Sequence, residues 1–191
     1  MPKIVLIDGL STTGKSTTSY NLAKKLPKWI FVDIWRTKDM FESIGYSASL
    51  NKKEADALMK ISKEETIRLA REIIRKTQRN ILMQEATLSL IKRKLGKDLK
   101  KYGYKIYNVQ LVIPLSEMKK RDKKRGKPTL NLADYWTEKK YTDKLERKNK
   151  GADVVVDTTK NSEKKVVEII LKAIGEKAKK HPYEKRIRRF W

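Results

Sequence analysis

Short apolar runs alternate with longer stretches of helical periodicity along the whole chain. Five runs read as strands: Ile4–Asp8, Trp29–Asp33, Asn80–Glu85, Lys105–Ile113 and Asp153–Asp157. Each is rich in Val, Ile or Leu, as expected where helices cover both faces of a sheet. Between them lie the predicted helices Lys15–Leu26, Lys52–Arg79, Leu88–Lys101, Ser116–Arg125, Ala133–Asn149 and Ser162–Lys177. The second of these carries Leu58, Ile61, Ile67, Leu69, Ile73 and Ile74 at mostly helical spacing. Asn161 or Ser162 is the expected cap of the last. Apolar runs alternating with helical stretches predict an α/β fold of three layers, with a five-stranded, mainly parallel sheet flanked by helices. No internal repeat and no Gly/Ser- or Pro-rich linker interrupts the pattern, so residues 1–191 are expected to form one domain. The segment Gly126–Asp134, with Pro128 in it, is the expected mobile loop, within a lid over about residues 121–140.

Composition narrows the class. Hydrophobic residues make up 39% and charged residues 37% of the chain, which fits a folded domain with a heavily charged surface. No apolar run approaches the roughly 20 residues needed to span a bilayer, and the start Met1-Pro2-Lys3 lacks a signal peptide's apolar region. A cytoplasmic protein without membrane contact is the expectation. There is no cysteine and one histidine, His181, which excludes disulfides and thiolate metal sites and disfavours histidine-based chemistry. Lys and Arg total 47 against 23 Asp and Glu, a formal net charge of +24. Such an excess points to a polyanionic partner, RNA or DNA, because counterion release favours basic surfaces on phosphate backbones. A lysine-rich solvated surface is the bland alternative.

The chemistry begins at Gly9-Leu10-Ser11-Thr12-Thr13-Gly14-Lys15-Ser16, a G-x4-G-K-S pattern. Its context is right: an apolar strand ends at Asp8, the loop follows, and Lys15 opens an amphipathic helix carrying Tyr20, Leu22, Ala23 and Leu26. Backbone N–H groups across Ser11, Thr12 and Thr13, with Thr17 in the first helical turn, are predicted to surround the phosphates of ATP at a helix N-terminus. Gly9 and Gly14 allow close backbone approach. Lys15 reaches the β- and γ-phosphates, and the Ser16 hydroxyl is placed to ligate Mg²⁺. No N/T-K-x-D motif of the GTPases stands in a suitable place, and the chain is short for a mechanochemical ATPase.

Three more segments suggest the rest of a transfer site. The second strand ends in Asp33, placed to accept a proton from an acceptor hydroxyl, and Arg36 follows to grip an acceptor phosphate. The same residues also suit an ordinary helix cap and a surface arginine. The third strand ends Glu85-Ala86-Thr87, where a carboxylate commonly holds Mg²⁺ or its water and Thr87 faces the acceptor side. Arg121 and Arg125 share one helical face before the predicted lid, one to stack on the base and the other to neutralise transition-state charge. A basic solvated helix is the competing reading. Trp35 suits either an acceptor pocket or the core, and the basic-aromatic tail 177–191 suits either single-stranded nucleic acid or packing.

Together these segments resemble the polynucleotide-kinase branch of the small P-loop kinases, related to chloramphenicol phosphotransferase, zeta-toxin kinases and tRNA-acting seryl kinases. The resemblance runs over Ile4–Lys127, on Gly9–Ser16, Asp33–Arg36, Glu85–Thr87 and Pro114–Gly126. It implies a fold like the nucleoside monophosphate kinases, Asp33 as general base, Arg36 on a substrate phosphate, and Arg121 and Arg125 on the nucleotide. Glu85 stands where that branch typically has Asp. The ending Gly151–Thr159 looks more like chloramphenicol phosphotransferase and the nucleotide kinases, which implies a loop near Thr159 and Lys160 bordering the adenine. The expected function is an ATP- and Mg²⁺-dependent kinase acting on a nucleic-acid hydroxyl. A small-molecule kinase and a nucleic-acid-binding NTPase are the alternatives.

Overall fold

The computed structural model describes residues 1–34, 51–84, 87–124 and 137–179. The described chain runs β1 (Lys3–Gly9), α1 (Lys15–Lys25), β2 (Ile30–Asp33), α2 (Lys52–Thr77), β3 (Ile81–Gln84) and α3 (Leu88–Lys101). It continues through β4 (Lys105–Val112), α4 (Leu115–Lys124), α5 (Glu138–Asn149), β5 (Val154–Asp157) and α6 (Glu163–Ala173). The five strands form one parallel sheet in the order β2-β3-β1-β4-β5. β2 and β3 run in register from Ile30 opposite Ile81 to Asp33 opposite Gln84. β4 and β5 run from Val109 opposite Val154 to Val112 opposite Asp157. All five predicted strands are present, and α/β with a parallel sheet is the observed class.

Two compact units divide the chain, Met1–Leu6 with Lys28–Ile106, and Ile7–Pro27 with Tyr107–Trp191. In the first, Ile4, Leu6, Val32, Ile81 and Met83 from the strands meet Ile67, Ala70 and Ile74 of α2 and Ile91, Leu95 and Leu99 of α3. Each of the larger aliphatic side chains removed from water contributes about 2 kcal/mol. α2 begins with a capping box in which Asn51 Oδ1 accepts the Glu54 N–H at 3.1 Å and Glu54 Oε2 accepts that of Asn51 at 2.8 Å. Arg75 Nε and Arg71 Nε donate to the two oxygens of Asp98, at 2.9 and 3.3 Å, tying α2 to α3. Tyr104 is buried in this core, and its hydroxyl donates to the Arg79 carbonyl at 2.8 Å. Two predicted apolar positions of α2 fall elsewhere: Ile61 and Leu69 are 48% and 50% exposed. Helical spacing alone does not separate them from the core face of a helix this long.

In the second unit α6 packs on β5 and against α1, where Asn21 Nδ2 donates to Glu163 Oε2 at 3.1 Å. Of the two expected caps it is Ser162 whose hydroxyl accepts the Lys165 N–H. α6 ends at Ala173, four residues short of the predicted Lys177, because Gly175 takes a left-handed φ of 66°. The Gly175 and Glu176 N–H groups then fold back onto the Lys172 and Leu171 carbonyls. A smaller cluster of Leu10, Ile113, Leu115, Met118 and Tyr141 lies beside the glycine loop, with the Tyr141 hydroxyl donating to the Ile113 carbonyl. Burial raises the Tyr141 phenol above its ordinary value despite that bond. No helix among the described residues is long and apolar enough to cross a membrane.

Candidate active site

The glycine loop is shaped by contacts that a larger residue would destroy. A Cβ on Gly9 would lie 2.5 Å from Thr13 Oγ1 and 2.7 Å from the Leu111 carbonyl oxygen. Since Leu111 O is backbone in the next strand, only glycine fits. Gly14 has φ 87° and serves as N-cap of α1. Thr12 takes φ 61°, an uncommon conformation for a β-branched residue, of the kind that marks binding loops. Thr13 is fully buried, and its hydroxyl donates to Leu10 O at 2.9 Å across the loop. Lys15 folds back over this ring, with Nζ 3.0 Å from Gly9 O and 2.8 Å from Leu10 O. Ser16 and Thr17 are exposed in the first turn of α1, which contains no acidic residue to offset the positive end of the helix.

Two further elements brace the loop. Arg121 of α4 donates through Nε to Glu117 Oε1 at 2.9 Å, and through Nη1 to Thr12 O at 3.3 Å and Thr158 Oγ1 at 3.4 Å. Thr158, just beyond β5, donates its own hydroxyl to Thr13 O at 3.0 Å. The peptide carbonyls of Thr12 and Thr13 are thereby both engaged by side chains from outside the loop. Thr159 is exposed, and its N–H and hydroxyl both donate to Asp157 Oδ1, at 2.8 and 2.6 Å. Burial pushes the Asp157 carboxyl up, but these bonds, with the Lys160 N–H and ammonium, outweigh it and hold the pKa below the ordinary 3.8.

Asp8, at the root of the loop, was given no role by sequence reasoning. Its Oδ1 accepts the Gly9 N–H at 2.7 Å, and Lys148 of α5 reaches both carboxylate oxygens at 2.7 and 2.6 Å. The side chains are only 17% and 10% exposed. The carboxylate before the first glycine was a visible signal for Asp8, whereas nothing distinguishes Lys148 from the other basic residues of the chain. Glu117 and Thr158 were likewise missed as supports of Arg121.

Gly9, Ser11, Thr12, Thr13, Gly14, Lys15, Ser16, Thr17, Arg121 and Thr159 all belong to the second unit. Asp33 and Thr87 belong to the first. Asp33 is buried at the C-terminal end of β2, opposite Gln84 of β3. Thr87 caps α3, its hydroxyl accepting the Leu90 N–H at 3.4 Å. Arg36, Glu85 and Arg125, with the predicted lid segment Gly126–Asp134, Trp35 and residues 180–191, lie outside the described residues. No group of three or more acidic or histidine side chains suited to a metal occurs among the described residues. Ser16, exposed in the first turn of α1, offers a hydroxyl of the kind that suits Mg²⁺, an ion that keeps most of its waters and binds mainly through substrate phosphates.

Solved structures with the same architecture include several kinases. A candidate kinase from Chloroflexus aurantiacus superposes with a TM-score of 0.64 at 17% identity, covering 90% of this chain and 98% of its own. The fold is that of the small P-loop kinases. Shikimate kinase from Bacteroides thetaiotaomicron matches with a TM-score of 0.59 at 13% identity, again over 90% of this chain and 98% of that one. The Mycobacterium tuberculosis APS kinase, solved with AMPPNP and APS, matches with a TM-score of 0.56 at 15% identity, over 92% and 98%. No protein-family model matches the sequence, and a search of curated proteins returns no match.

Proposed function

We propose that this chain is an ATP- and Mg²⁺-dependent kinase that transfers the γ-phosphate to a hydroxyl of a nucleic acid, an RNA or DNA end. The observation that carries the transfer reading is the loop itself: a glycine-bounded loop at a helix N-terminus, with its Thr12 and Thr13 carbonyls engaged by Arg121 and Thr158 and one lysine folded over it. A triphosphate offers Lys15 stronger acceptors than Gly9 O and Leu10 O, so that Nζ moves from the loop to the β- and γ-oxygens. The uncompensated end of α1 adds about half a positive charge at the same place. Ser16, with Glu85 as a second candidate, holds Mg²⁺, which neutralises charge on the phosphates when bound. Arg121 supports the phosphate side, and Arg125 is the second arginine proposed to act on the nucleotide. The loop after β5, with Thr159, is proposed to border the base.

Asp33 is the proposed base. A buried carboxylate at a parallel strand's C-terminal end suits alignment of an acceptor hydroxyl and acceptance of its proton. Arg36 and Thr87 are proposed to hold the acceptor. The net charge of +24 supports a nucleic-acid acceptor, since it exceeds what a small anion requires. A small-molecule acceptor is the second reading, favoured by the likeness to APS kinase and shikimate kinase. A nucleic-acid-binding NTPase is the third, and such a switch needs no base at Asp33.

Asp33→Asn is expected to lower transfer by about a thousandfold while ATP binding stays within about twofold of the parent. The assay uses radiolabelled ATP with 5′-hydroxyl RNA, single-stranded DNA, tRNA and nucleoside monophosphates. Full transfer by the variant removes Asp33 from the mechanism. Labelling confined to monophosphates, with no RNA binding at moderate salt, selects the small-molecule reading.

A further inference from the structure

The first unit contains a groove that none of the proposed chemistry uses. A cavity of about 780 Å³ lies between α2 and α3. Its walls carry Lys60, Lys63 and Arg71 from one helix and Arg93 and Lys94 from the other. Its floor is apolar, formed by Ile67 and Leu90, and Glu64 is the one carboxylate lining it. Five cations to one anion is a large imbalance for a concave surface. Among the described residues it is also largely uncompensated. Among the described residues Lys60, Lys63, Arg93 and Lys94 make no ion pair. Arg71 is the exception and is held rigid, with Nε on Asp98 at 3.3 Å and Nη2 on the Lys94 carbonyl at 2.9 Å.

The direction of the groove follows from the helix pairing. Arg75 of α2 meets Asp98 of α3, and Arg71, one turn earlier, reaches back to Lys94 as well, so the two helices run parallel. Moving back along α2 from Arg71 to Lys60 therefore means moving toward the start of α3. That start lies four residues beyond Gln84, the partner of Asp33 at the strand ends. The groove thus opens at the C-terminal edge of β2 and β3, the edge that bears the proposed base. From Lys60 to Arg71 it extends about 16 Å along the helix, at about 1.5 Å per residue. The first turn of α3 carries no acidic residue and adds its positive end to the same field.

We infer that this groove binds the sugar-phosphate backbone of single-stranded nucleic acid, and that it is the path along which the acceptor strand reaches Asp33. The second clause rests on the proposed kinase function; the first does not. Cations on two facing walls match a line of phosphates, and the apolar floor accepts a sugar or base face. Duplex readers insert a convex helix or ribbon into a nucleic-acid groove, whereas here the protein is concave, which suits a strand that enters it.

The test measures fluorescence anisotropy of a short labelled single-stranded RNA, with no ATP present. Lys60→Ala/Lys63→Ala and Arg93→Ala/Lys94→Ala are each expected to weaken binding by about tenfold or more, equally across sequences. Each should also lower the slope of log affinity against log salt by about 1.4, about 0.7 for each phosphate contact removed. A control of equal charge change on α6, Lys164→Ala/Lys172→Ala, is expected to bind within about twofold of the parent. Unchanged affinity in both groove variants, or an equal loss in the control, overturns the groove. So does tighter binding to phosphatidylserine vesicles than to RNA, which would mark the face as a membrane surface. A single-stranded DNA arm of the same sequence separates RNA from DNA as the occupant. A phosphoryl-transfer assay on the same RNA keeps the two readings apart. Groove-dependent binding without any transfer sinks the kinase reading alone. Transfer whose KM for RNA is the same in the groove variants sinks the groove alone.

Discussion

A largely buried carboxylate at the root of the glycine loop must have its charge balanced by something. Here Lys148 does so, with both oxygens of Asp8 within 2.7 Å of its ammonium. Asp8 is then free to fix the Gly9 N–H with its charge already balanced. Lys148→Ala leaves that carboxylate buried and unpaired, which is expected to cost about 3 kcal/mol in urea unfolding and to weaken ATP binding. Asp8→Asn added to Lys148→Ala should recover most of both losses, because asparagine still accepts from Gly9 and brings no charge. If the double variant is no better than the single, the pair acts through packing and not through charge. Arg121 shows the complementary arrangement. Its guanidinium is spent on Glu117, Thr12 and Thr158, so its first service is to hold the loop's outer wall.

At the scale of elements, the turn between β5 and α6 carries a pH dependence of its own. Asp157 caps it, accepting from Thr159 twice and lying near Lys160. Because its pKa is depressed in the folded chain, the stability it contributes is complete above the ordinary 3.8 and is lost as pH falls through the lower folded value. The urea midpoint should therefore fall as pH is lowered from 5 toward 3, and Asp157→Asn should flatten that part of the profile. An unchanged slope in the variant would mean that other carboxylates carry the whole effect. The strands and most helix limits were legible in the sequence, because burial on both faces and caps such as Ser162 are local properties. α6 was predicted four residues too long, since helical periodicity continues past Gly175 although the backbone there does not. The exposure of Ile61 and Leu69 was not legible for a related reason: a helix of 26 residues presents apolar side chains on faces that only its packing against α3 and the sheet distinguishes.

For the molecule as a whole, a net charge of +24 is both a recognition device and a load on the folded state. Like charges repel more strongly when the chain is compact, and salt screens them over about 10 Å at 0.1 M. Raising sodium chloride from about 0.05 to about 0.5 M should stabilise the fold by about 1 kcal/mol, or about 3 °C in Tm for a chain of this size. The same change should weaken RNA binding by orders of magnitude. A Tm that falls with salt would mean that the ion pairs outweigh the repulsion.

What the sequence determined by itself was whatever depends on near neighbours. The order strand, glycine loop, helix and the spacing of Gly9, Gly14, Lys15 and Ser16 identify a phosphate loop because every part of it lies within a few residues. Alternating apolar and helical segments define α/β for the same reason. The tertiary structure alone decided the strand order β2-β3-β1-β4-β5, the docking of Lys148 on Asp8 across 140 residues, and the seat of Arg121 against Thr158. It also brought Lys60, Lys63, Arg93 and Lys94 from two helices into one groove. In a chain with 47 basic residues, charge can be counted from the sequence, but whether it is paired or left facing a cavity depends on which segments fold together.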